Sequence, residues 1–300
     1  MKTLVTGAFP LDDHRHEALG NLGLELTFHK DERAPVDHPE QYEAVICNGL
    51  FTFQDIAAFT NLKYIQLTSA GMDRVPMDYI KRRGIEVRNA AGVYSIPMAE
   101  YALWGVLGLY KQGCFFADNQ SRHRWEKHRG LLELAGKTVC VIGCGSVGTE
   151  CAKRFEAFGC KVLGIATAAR TQAHFSAVQA MDSLPEVLPQ ADVVVLALPL
   201  TADTRGLFSA DLLAKMKPGA ILVNIARGAI VDTAALIDAL KTHLGGAVLD
   251  VFEEEPLGAD SPLWDMENVI LTPHNSFVGE GNHDRMMTIL KDNVNLWRRK

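Results

Sequence analysis

The stretch Gly143-Cys144-Gly145-Ser146-Val147-Gly148 decides the fold of this chain, because an apolar run precedes it and a helical pattern follows it. The apolar run covers residues 138–142, and the helical pattern starts at Thr149. In such a strand, glycine turn and helix, the first glycine permits the tight turn and the third lets helix and strand pack closely. The second lets a pyrophosphate approach the free N–H groups of the positive helix end. The stretch therefore predicts a dinucleotide site, whereas a GxGxxG without this context is equally typical of a plain turn.

Length and charge are typical of a globular protein that binds neither nucleic acid nor membranes. The 300 residues are 48% hydrophobic, which is enough for two domains with their own cores. The formal net charge is −6, and no basic block is longer than Arg298-Arg299-Lys300. The most apolar long segment, 101–110, is shorter than the about 20 residues that span a bilayer. Residues 1–7 are typical of a buried strand rather than a signal peptide, so we expect a cytoplasmic protein.

The six cysteines give no sign of a metal site or a disulfide framework. They stand at positions 47, 114, 140, 144, 151 and 160 without a CxxC pair, mostly on predicted strands or helices. Buried free thiols in a reducing compartment are the simple interpretation. A zinc site from Cys140, Cys144 and Cys151 would need a strand, a turn and a helix to converge on one ion, so we expect no metal.

Alternating strand and helix patterns predict two α/β domains. Short apolar runs separated by helical patterns fill the first 95 residues, and the second half repeats the rhythm. Strands separated by helices imply parallel sheets with helices on both faces. The predicted strands are 4–6, 24–28, 44–47, 64–67 and 86–88 in the first half, and 139–142, 162–165, 193–198, 221–225, 247–249 and 269–271 in the second.

The domain boundaries follow from the helical segments that come before and after the second series of strands. A helix that starts near Pro97, with the proline in its first turn, leads into the second domain. Residues 280–297 are helical in pattern and follow the last strand, so we expect them to pack back on the first domain. We therefore predict a discontinuous first domain of residues 1–96 plus 278–300 and a second domain of 97–277. Small-molecule sites favour a cleft between two such domains.

Three polar residues near the ends of predicted strands are candidates for chemistry, namely Arg227, Glu255 and His274. The carboxyl ends of parallel strands meet at one edge of a sheet, so these side chains should line a common site. Taken singly, Arg227 could cap a strand, Glu255 could be one charge of an exposed acidic run, and His274 could be an ordinary loop histidine. Their order and placement in this fold favour a catalytic set.

The motifs around these residues resemble the D-2-hydroxyacid dehydrogenase family over nearly the whole chain. The resemblance implies an α/β fold of two doubly wound parallel sheets, a flavodoxin-like substrate domain and a Rossmann dinucleotide-binding domain. It also implies hydride transfer between NAD(P)H and a 2-oxo or D-2-hydroxy acid, such as hydroxypyruvate, glyoxylate or a larger acid. The matching pieces are Gly143-x-Gly145-x-x-Gly148, Leu198-Pro199-Leu200-Thr201 with Thr204, Met216-Lys217-Pro218-Gly219-Ala220, Asn224-x-x-Arg227-Gly228-x-x-Val231-Asp232, Asp250-Val251-Phe252-Glu253-x-Glu255-Pro256-Leu257 and Thr272-Pro273-His274.

The roles that this resemblance assigns agree with the chemistry of the side chains. Arg227 offers a planar fork that grips carboxylate and carbonyl oxygens. His274 gives a proton in reduction and takes one in oxidation, because imidazole changes charge near neutral pH. Glu255 would orient the ring and favour its protonated state. The family uses a loop matching Ser69-Ala70-Gly71 to offer backbone N–H groups to the substrate carboxylate, and an ordinary strand-to-helix turn is the alternative.

The cofactor residues depart from the commonest family pattern at one informative place. NAD-preferring members carry an acid about 20 residues beyond the glycine turn, where this chain has Ala166. Thr167 and Arg170 follow, suited to a 2′-phosphate, so we expect NADPH to serve at least as well as NADH unless Arg170 points to solvent. A smaller departure is Asn275-Ser276 after the histidine, where a glycine-containing continuation is usual. The predicted cofactor-binding residues are Gly143, Gly145, Ser146, Val147, Gly148, Thr167, Arg170, Leu198, Pro199, Thr204, Ile225, Ala226, Asp250 and Ser276.

Two rival functions and the assembly state complete the expectations. Formate dehydrogenases resemble the chain but have glutamine where Glu255 stands, which disfavours that activity. A nucleotide-sensing regulator such as a corepressor would share the scaffold and stays open, although the chain carries no added interaction tail. Residues 99–110 are apolar nearly all round a helix, which predicts a homodimer through this helix and the segment to Trp125, or else burial within one domain.

Overall fold

The computed structural model describes residues 1–299. The chain divides into two compact units, Met1–Tyr94 with Gly279–Lys300 and Ser95–Val278. The corresponding boundaries predicted from the sequence follow residues 96 and 277.

Residues 1–299 contain twelve strands, ten α-helices and six short 3-10 helices, joined by loops. The strands are β1 Lys2–Thr6, β2 Glu25–His29, β3 Ala44–Cys47, β4 Tyr64–Leu67, β5 Glu86–Arg88, β6 Thr138–Ile142, β7 Lys161–Ala166, β8 Ala177–Ala180, β9 Val193–Leu196, β10 Ile221–Asn224, β11 Gly246–Leu249 and β12 Val269–Leu271. The helices are α1 Asp13–Gly20, α2 Leu50–Phe53, α3 Met77–Arg83, α4 Ser95–Tyr110, α5 Gly113–Ser121, α6 Ser146–Ala157, α7 Leu184–Val187, α8 Ala210–Leu213, α9 Thr233–Thr242 and α10 Asn282–Arg298.

The first unit is built on a five-stranded parallel sheet in the order β2-β1-β3-β4-β5. This is the flavodoxin-like order that the resemblance implied, so the predicted fold of this unit is confirmed. The central strands are apolar and buried throughout, as expected where helices cover both faces. The last helix, α10, contributes Met286, Leu290 and Val294 at helical spacing to a cluster with Val5 and Phe9.

The second unit is built on a seven-stranded parallel sheet in the order β12-β11-β10-β9-β6-β7-β8. The chain starts in the middle at β6, moves outward to β8 and returns to continue from β9 on the other side. This is the Rossmann arrangement, and the predicted fold class is confirmed. Helix α4 approaches the sheet closely, since a Cβ on Gly105 would lie 2.5 Å from a methyl group of Val248.

Strand β8 was not predicted from the sequence, and β9 is two residues shorter than predicted. Only Val178 of β8 is buried, and the strand pairs with β7 alone at the edge of the sheet. It therefore lacks the continuous apolar run by which buried parallel strands are recognised. Strand β9 ends at Leu196 instead of Leu198, and Pro199 just beyond has no N–H group to continue the ladder.

The cysteines are all free thiols, five of them buried and Cys114 on α5 exposed. Burial raises the pKa of both Cys140 and Cys151 to about 12, so these thiols stay neutral near pH 7. Within the described part of the chain, no three histidine, cysteine or acidic side chains are grouped so that they could hold a metal ion. None of the helices formed by residues 1–299 combines the length and the apolarity that a membrane span requires.

Candidate active site

The candidate site lies at one edge of the second unit's sheet. Six neighbouring parallel strands end there within one residue of each other, because the last or next-to-last residue of each pairs with its neighbour across the sheet. The loops that follow these strands carry the predicted catalytic and cofactor-binding residues. Parallel α/β sheets bind ligands at this carboxyl edge. The paired strand-end residues are Ile165, Ile142, Leu196, Asn224, Leu249 and Leu271.

The glycine turn between β6 and α6 fits a pyrophosphate. Gly143 has a φ of +97°, and a Cβ there would lie 2.6 Å from the Ala197 carbonyl group. A Cβ on Gly148 would lie 2.0 Å from the Gly143 oxygen, so both glycines are required by the fold itself. Gly145, the residue before the first turn of α6, has nothing within 4 Å of the position of a Cβ. Its missing side chain leaves open space at the helix N-terminus, where N–H groups attract phosphate.

This difference between the glycines can be tested. We expect Gly145→Ala to keep the thermal unfolding temperature and to weaken NAD(P)H binding by about tenfold or more, because the methyl group fills the phosphate space. Gly148→Ala is the matched control. Its Cβ would overlap a backbone oxygen, so it should destabilise the fold by about 1–3 kcal/mol or more. Calorimetric titration and thermal unfolding of both variants measure the two effects, and normal cofactor affinity in Gly145→Ala would contradict the assignment.

The loop after β7 brings the predicted 2′-phosphate residues to the glycine turn. Thr167 is exposed directly after the strand, and Arg170 forms an isolated bridge with Val178. One Nη of Arg170 donates to the Cys144 carbonyl oxygen at 3.0 Å, and its Nε donates to Gln172 at 2.8 Å. Arg170 is therefore held against the turn and does not extend freely into solvent, which was the alternative expectation.

The loop after β9 is closed by Thr204. Its hydroxyl donates to the Pro199 carbonyl oxygen at 2.8 Å and accepts from the Thr201 N–H at 2.7 Å. Within this loop, Leu198 is buried and Pro199 is exposed. The three predicted residues 198, 199 and 204 therefore form one ordered turn at the sheet edge.

Arg227 stands in the loop after β10, where the backbone is fixed by Asn224. The Asn224 side chain accepts from the Ala226 N–H at 3.1 Å and donates to the Arg227 carbonyl oxygen at 3.1 Å. Ile225 and Ala226 are buried and Arg227 is half-buried, with one Nη donating to the Ala226 oxygen at 2.8 Å. The role of Asn224 was missed from the sequence, although the residue is part of the quoted motif.

Gly228 lets the Arg227 loop approach the loop after β11. A Cβ on Gly228 would lie 1.8 Å from the carbonyl carbon of Phe252, so no larger residue fits there. The Phe252 N–H in turn donates to one carboxylate oxygen of Glu255 at 3.1 Å. The arginine and glutamate loops are thus packed side by side.

Glu255 and His274 form a hydrogen-bonded pair. The second carboxylate oxygen of Glu255 lies 2.9 Å from Nδ1 of His274, and 38% and 37% of the two side chains are exposed. The carboxylate can only accept, so Nδ1 carries the proton and Nε2 faces the opposite side of the ring. His274 adopts a left-handed φ of +52°, and the edge of Phe277 meets its ring at 6.1 Å between centroids. The pair is ordered and still reachable from solvent.

Asp250 holds the loop of His274 in place through hydrogen bonds to its carboxylate. It is fully buried, and its carboxylate accepts from the Thr272 hydroxyl at 2.7 Å and from the N–H groups of Asn275 and Ser276 at 2.7 and 2.9 Å. The Tyr101 hydroxyl bonds the Thr272 hydroxyl and extends this network to α4. Asp250 therefore fixes the loop that presents His274, and its predicted contact with the cofactor stays a prediction.

Ser276 lies in the same buried network. Its side chain is 2% exposed, and its hydroxyl has no hydrogen-bond partner within residues 1–299. Its predicted contact with the cofactor stays a prediction too. The sequence offered no signal for Tyr101, since an aromatic residue on an apolar helix looks like core.

The substrate-loop candidates belong to the first unit and follow β4. The Ser69 hydroxyl donates to the Gly71 oxygen at 3.0 Å, and the Asn89 amide donates to the Ala70 oxygen at 2.7 Å. The Ala90 N–H donates to the Ser69 oxygen at 2.9 Å. The backbone oxygens of Ser69, Ala70 and Gly71 therefore all accept hydrogen bonds from within the first unit.

The family model for the D-isomer specific 2-hydroxyacid dehydrogenase NAD binding domain matches residues 103–276, more than half of the chain. The chain belongs to the D-isomer specific 2-hydroxyacid dehydrogenase family. The sequence predicted an NAD(P)-dependent D-2-hydroxyacid dehydrogenase, and the family membership confirms this enzyme class. A nicotinamide cofactor is part of the same assignment.

Members of this dehydrogenase family with different substrates are similar to the chain. The (S)-sulfolactate dehydrogenase of Chromohalobacter salexigens is 35% identical over 243 residues, which are 80% of this chain and 78% of the relative. The glyoxylate reductase of Thermococcus gammatolerans is 36% identical over 243 residues, 78% of this chain and 72% of the relative. A D-isomer specific 2-hydroxyacid dehydrogenase from Xanthobacter autotrophicus, solved in complex with NADPH and MES, is 31% identical with a TM-score of 0.77, covering 98% of this chain and 93% of that one.

Proposed function

We propose that this dehydrogenase reduces a small 2-oxo acid to the D-2-hydroxy acid with NAD(P)H, using Arg227, Glu255 and His274. The observation that carries the proposal is the 2.9 Å bond between Nδ1 of His274 and Glu255, at the same sheet edge as Arg227 and the glycine turn. When bound, the nicotinamide supplies or accepts the hydride. The protein has to bind the acid, place its carbonyl group and move one proton.

Arg227 would bind the substrate's carboxylate and carbonyl oxygen. A guanidinium offers parallel N–H donors that match two oxygens at once, and its charge favours the negative charge that builds on the carbonyl oxygen. The Asn224 bonds to the loop hold the Arg227 backbone, which limits the positions of the fork. The predicted substrate contacts of Ser69, Ala70 and Gly71 in the first unit stay a prediction.

His274 would give the proton to the carbonyl oxygen in reduction and take it back in oxidation. Because Glu255 accepts the Nδ1 proton, Nε2 is the nitrogen that exchanges a proton with the substrate. Glu255 also fixes the plane of the ring through the bond to Nδ1. The Phe252 N–H holds Glu255 in turn.

A panel of 2-oxo acids tests the proposed function. We expect turnover of hydroxypyruvate, glyoxylate or a related acid, followed at the nicotinamide absorbance, with kcat/KM for NADPH at least equal to that for NADH. Thr167 and Arg170 support this cofactor choice, since a hydroxyl and a guanidinium can bind the 2′-phosphate. A tenfold preference for NADH would contradict the cofactor preference. Cofactor binding without turnover of any 2-oxo acid would favour the regulatory function.

We also propose a homodimer through α4, α5 and the segment that follows them. The buried face of α4 includes Ala102, Val106 and Tyr110, which pack on the sheet, whereas Trp104 is 52% exposed. Trp125 is 97% exposed, so it is not a packing aromatic within this chain. Exposed apolar surface of this extent is typical of an interface. The other exposed apolar residues there are Phe116, Leu131 and Leu132.

Light scattering measures the assembly state directly. We expect the mass of a dimer at micromolar concentration, and Trp104→Arg should shift the protein toward the monomer because it places a charge in the interface. Phe53→Arg is the matched control, since Phe53 is an exposed aromatic residue of the first unit. A monomeric wild-type protein would refute the dimer.

A further inference from the structure

The guanidinium of Arg170 is fixed by a neighbouring amide. Gln172 accepts from Nε of Arg170 at 2.8 Å, while Nη2 of Arg170 donates to the Cys144 carbonyl oxygen at 3.0 Å. The backbone is held as well, since the Arg170 N–H donates to the Val178 oxygen at 3.2 Å. An exposed loop arginine ordinarily samples many rotamers, and here two side-chain bonds restrict it.

Gln172 connects this arginine to the phosphate turn. Its Nε2 donates to the Cys144 carbonyl oxygen at 3.1 Å and to the Thr149 hydroxyl at 2.8 Å. The Thr149 hydroxyl donates to the Gly145 oxygen at 2.8 Å. The half-buried amide of Gln172 therefore bonds, directly or through Thr149, to the arginine loop, the glycine turn and the first turn of α6.

The charge of Arg170 remains available to an anion in this arrangement. Its side chain donates to an amide oxygen and a carbonyl oxygen, and the sequence contains no acid from residue 161 to 179. Burial raises the pKa of the nearby Cys144 thiol to about 11, so no thiolate neutralises the guanidinium near pH 7.

We propose that Gln172 is a positioning residue that holds the Arg170 guanidinium against the glycine turn and thereby favours a cofactor carrying a ribose 2′-phosphate. The inference rests on the proposed use of NADP(H) and adds a residue that acts through Arg170. Ordering the arginine before the cofactor arrives reduces the entropy lost on binding. An amide suits this task because it accepts from the arginine and donates to Cys144 and Thr149 at the same time.

Calorimetric titration of the apo-protein with NADP⁺ and NAD⁺ tests the role without turnover. We expect Gln172→Ala to weaken NADP⁺ binding by about tenfold and NAD⁺ binding by less than about twofold, since a hydrogen bond to a charged group is lost. Gln172→Glu should weaken NADP⁺ binding at least as much, because a carboxylate cannot donate to Cys144 and repels the phosphate. Gln190→Ala is the matched control, as that amide donates to the Glu186 oxygen in another part of the unit.

Two further variants separate the possible outcomes. Arg170→Ala should selectively weaken NADP⁺ binding, and Thr149→Val should do so to a lesser degree by removing the far anchor of Gln172. If Arg170→Ala weakens NADP⁺ binding and the Gln172 variants do not, the positioning role is wrong and the proposed cofactor preference stands. If Arg170→Ala leaves both affinities unchanged, the 2′-phosphate site and the role of Gln172 are both wrong. Thermal unfolding of each variant confirms that the affinities refer to folded protein, and Thr149→Val decides the question if Gln172→Ala is unfolded.

Discussion

Replacing His274 by glutamine is expected to lower kcat by on the order of 10²–10⁴ while NAD(P)H still binds, as the loss of a general acid does. Glutamine is similar in size and can still bond to Glu255, so the loop should keep its shape. The Asp250 bonds to the next two N–H groups do not involve the imidazole and should also persist. Steady-state kinetics and cofactor titration on the same preparation measure both effects.

The chain offers a matched control for this substitution. His174 also has a left-handed φ, of +70°, and its Nδ1 lies 2.6 Å from a carboxylate oxygen of Glu156. His174→Gln therefore removes a similar histidine–glutamate pair from a similar backbone, in the loop after β7 and not in the loop after β12 that carries His274. We expect nearly normal kcat in His174→Gln, and a nearly normal kcat in His274→Gln would remove His274 from the catalytic set.

Arg227→Lys should reduce kcat/KM by at least about thirtyfold, equivalent to about 2 kcal/mol or more, although the positive charge is kept. The ammonium group is a single point of charge and cannot reproduce the two parallel bonds of a guanidinium to a carboxylate and a carbonyl oxygen. KM for the 2-oxo acid should rise, and cofactor affinity should change little. The measurement is kcat and KM for the acid and a separate titration with NAD(P)H.

Arg205→Lys serves as the control for the same change of side chain, because Arg205 is an exposed arginine of another strand-end loop. We expect that variant to retain wild-type kinetics. Equal kinetics of Arg227→Lys and wild type would show that Arg227 does not bind the substrate's oxygens.

The two substitutions act on loops that the same buried bonds organise. Asp250 holds the N–H groups after His274, and Asn224 holds the backbone around Arg227. Asn224 is the last residue of β10, and Asp250 directly follows the neighbouring strand β11. The Asp250 N–H donates to the Asn224 carbonyl oxygen at 3.0 Å. The loops that carry the proposed catalytic residues thus depend on polar groups within the edge of the sheet, where burial makes an unpaired group costly.

Local patterns in the sequence were enough for the central strands of the two sheets, because these strands are the apolar runs that burial in a parallel sheet requires. The glycine spacing at residues 143, 145 and 148 likewise predicted the turn, since two of those positions accept no side chain. Strand β8 was missed because at the sheet edge a single buried residue, Val178, suffices. Edge strands carry a weaker signal than central ones for this reason.

The identities of the candidate residues were thus determined by the sequence alone, and their partners were decided by the tertiary structure. Nothing local indicates that Glu255 and His274, 19 positions apart, share a hydrogen bond, or that Tyr101 reaches Thr272 across 171 positions. Whether Arg170 points to solvent or to the glycine turn was open in the sequence, and the bonds to Cys144 and Gln172 decide it. Hydrogen bonds between loops depend on where the sheet brings the strand ends together, which is a property of the folded chain and not of any segment of it.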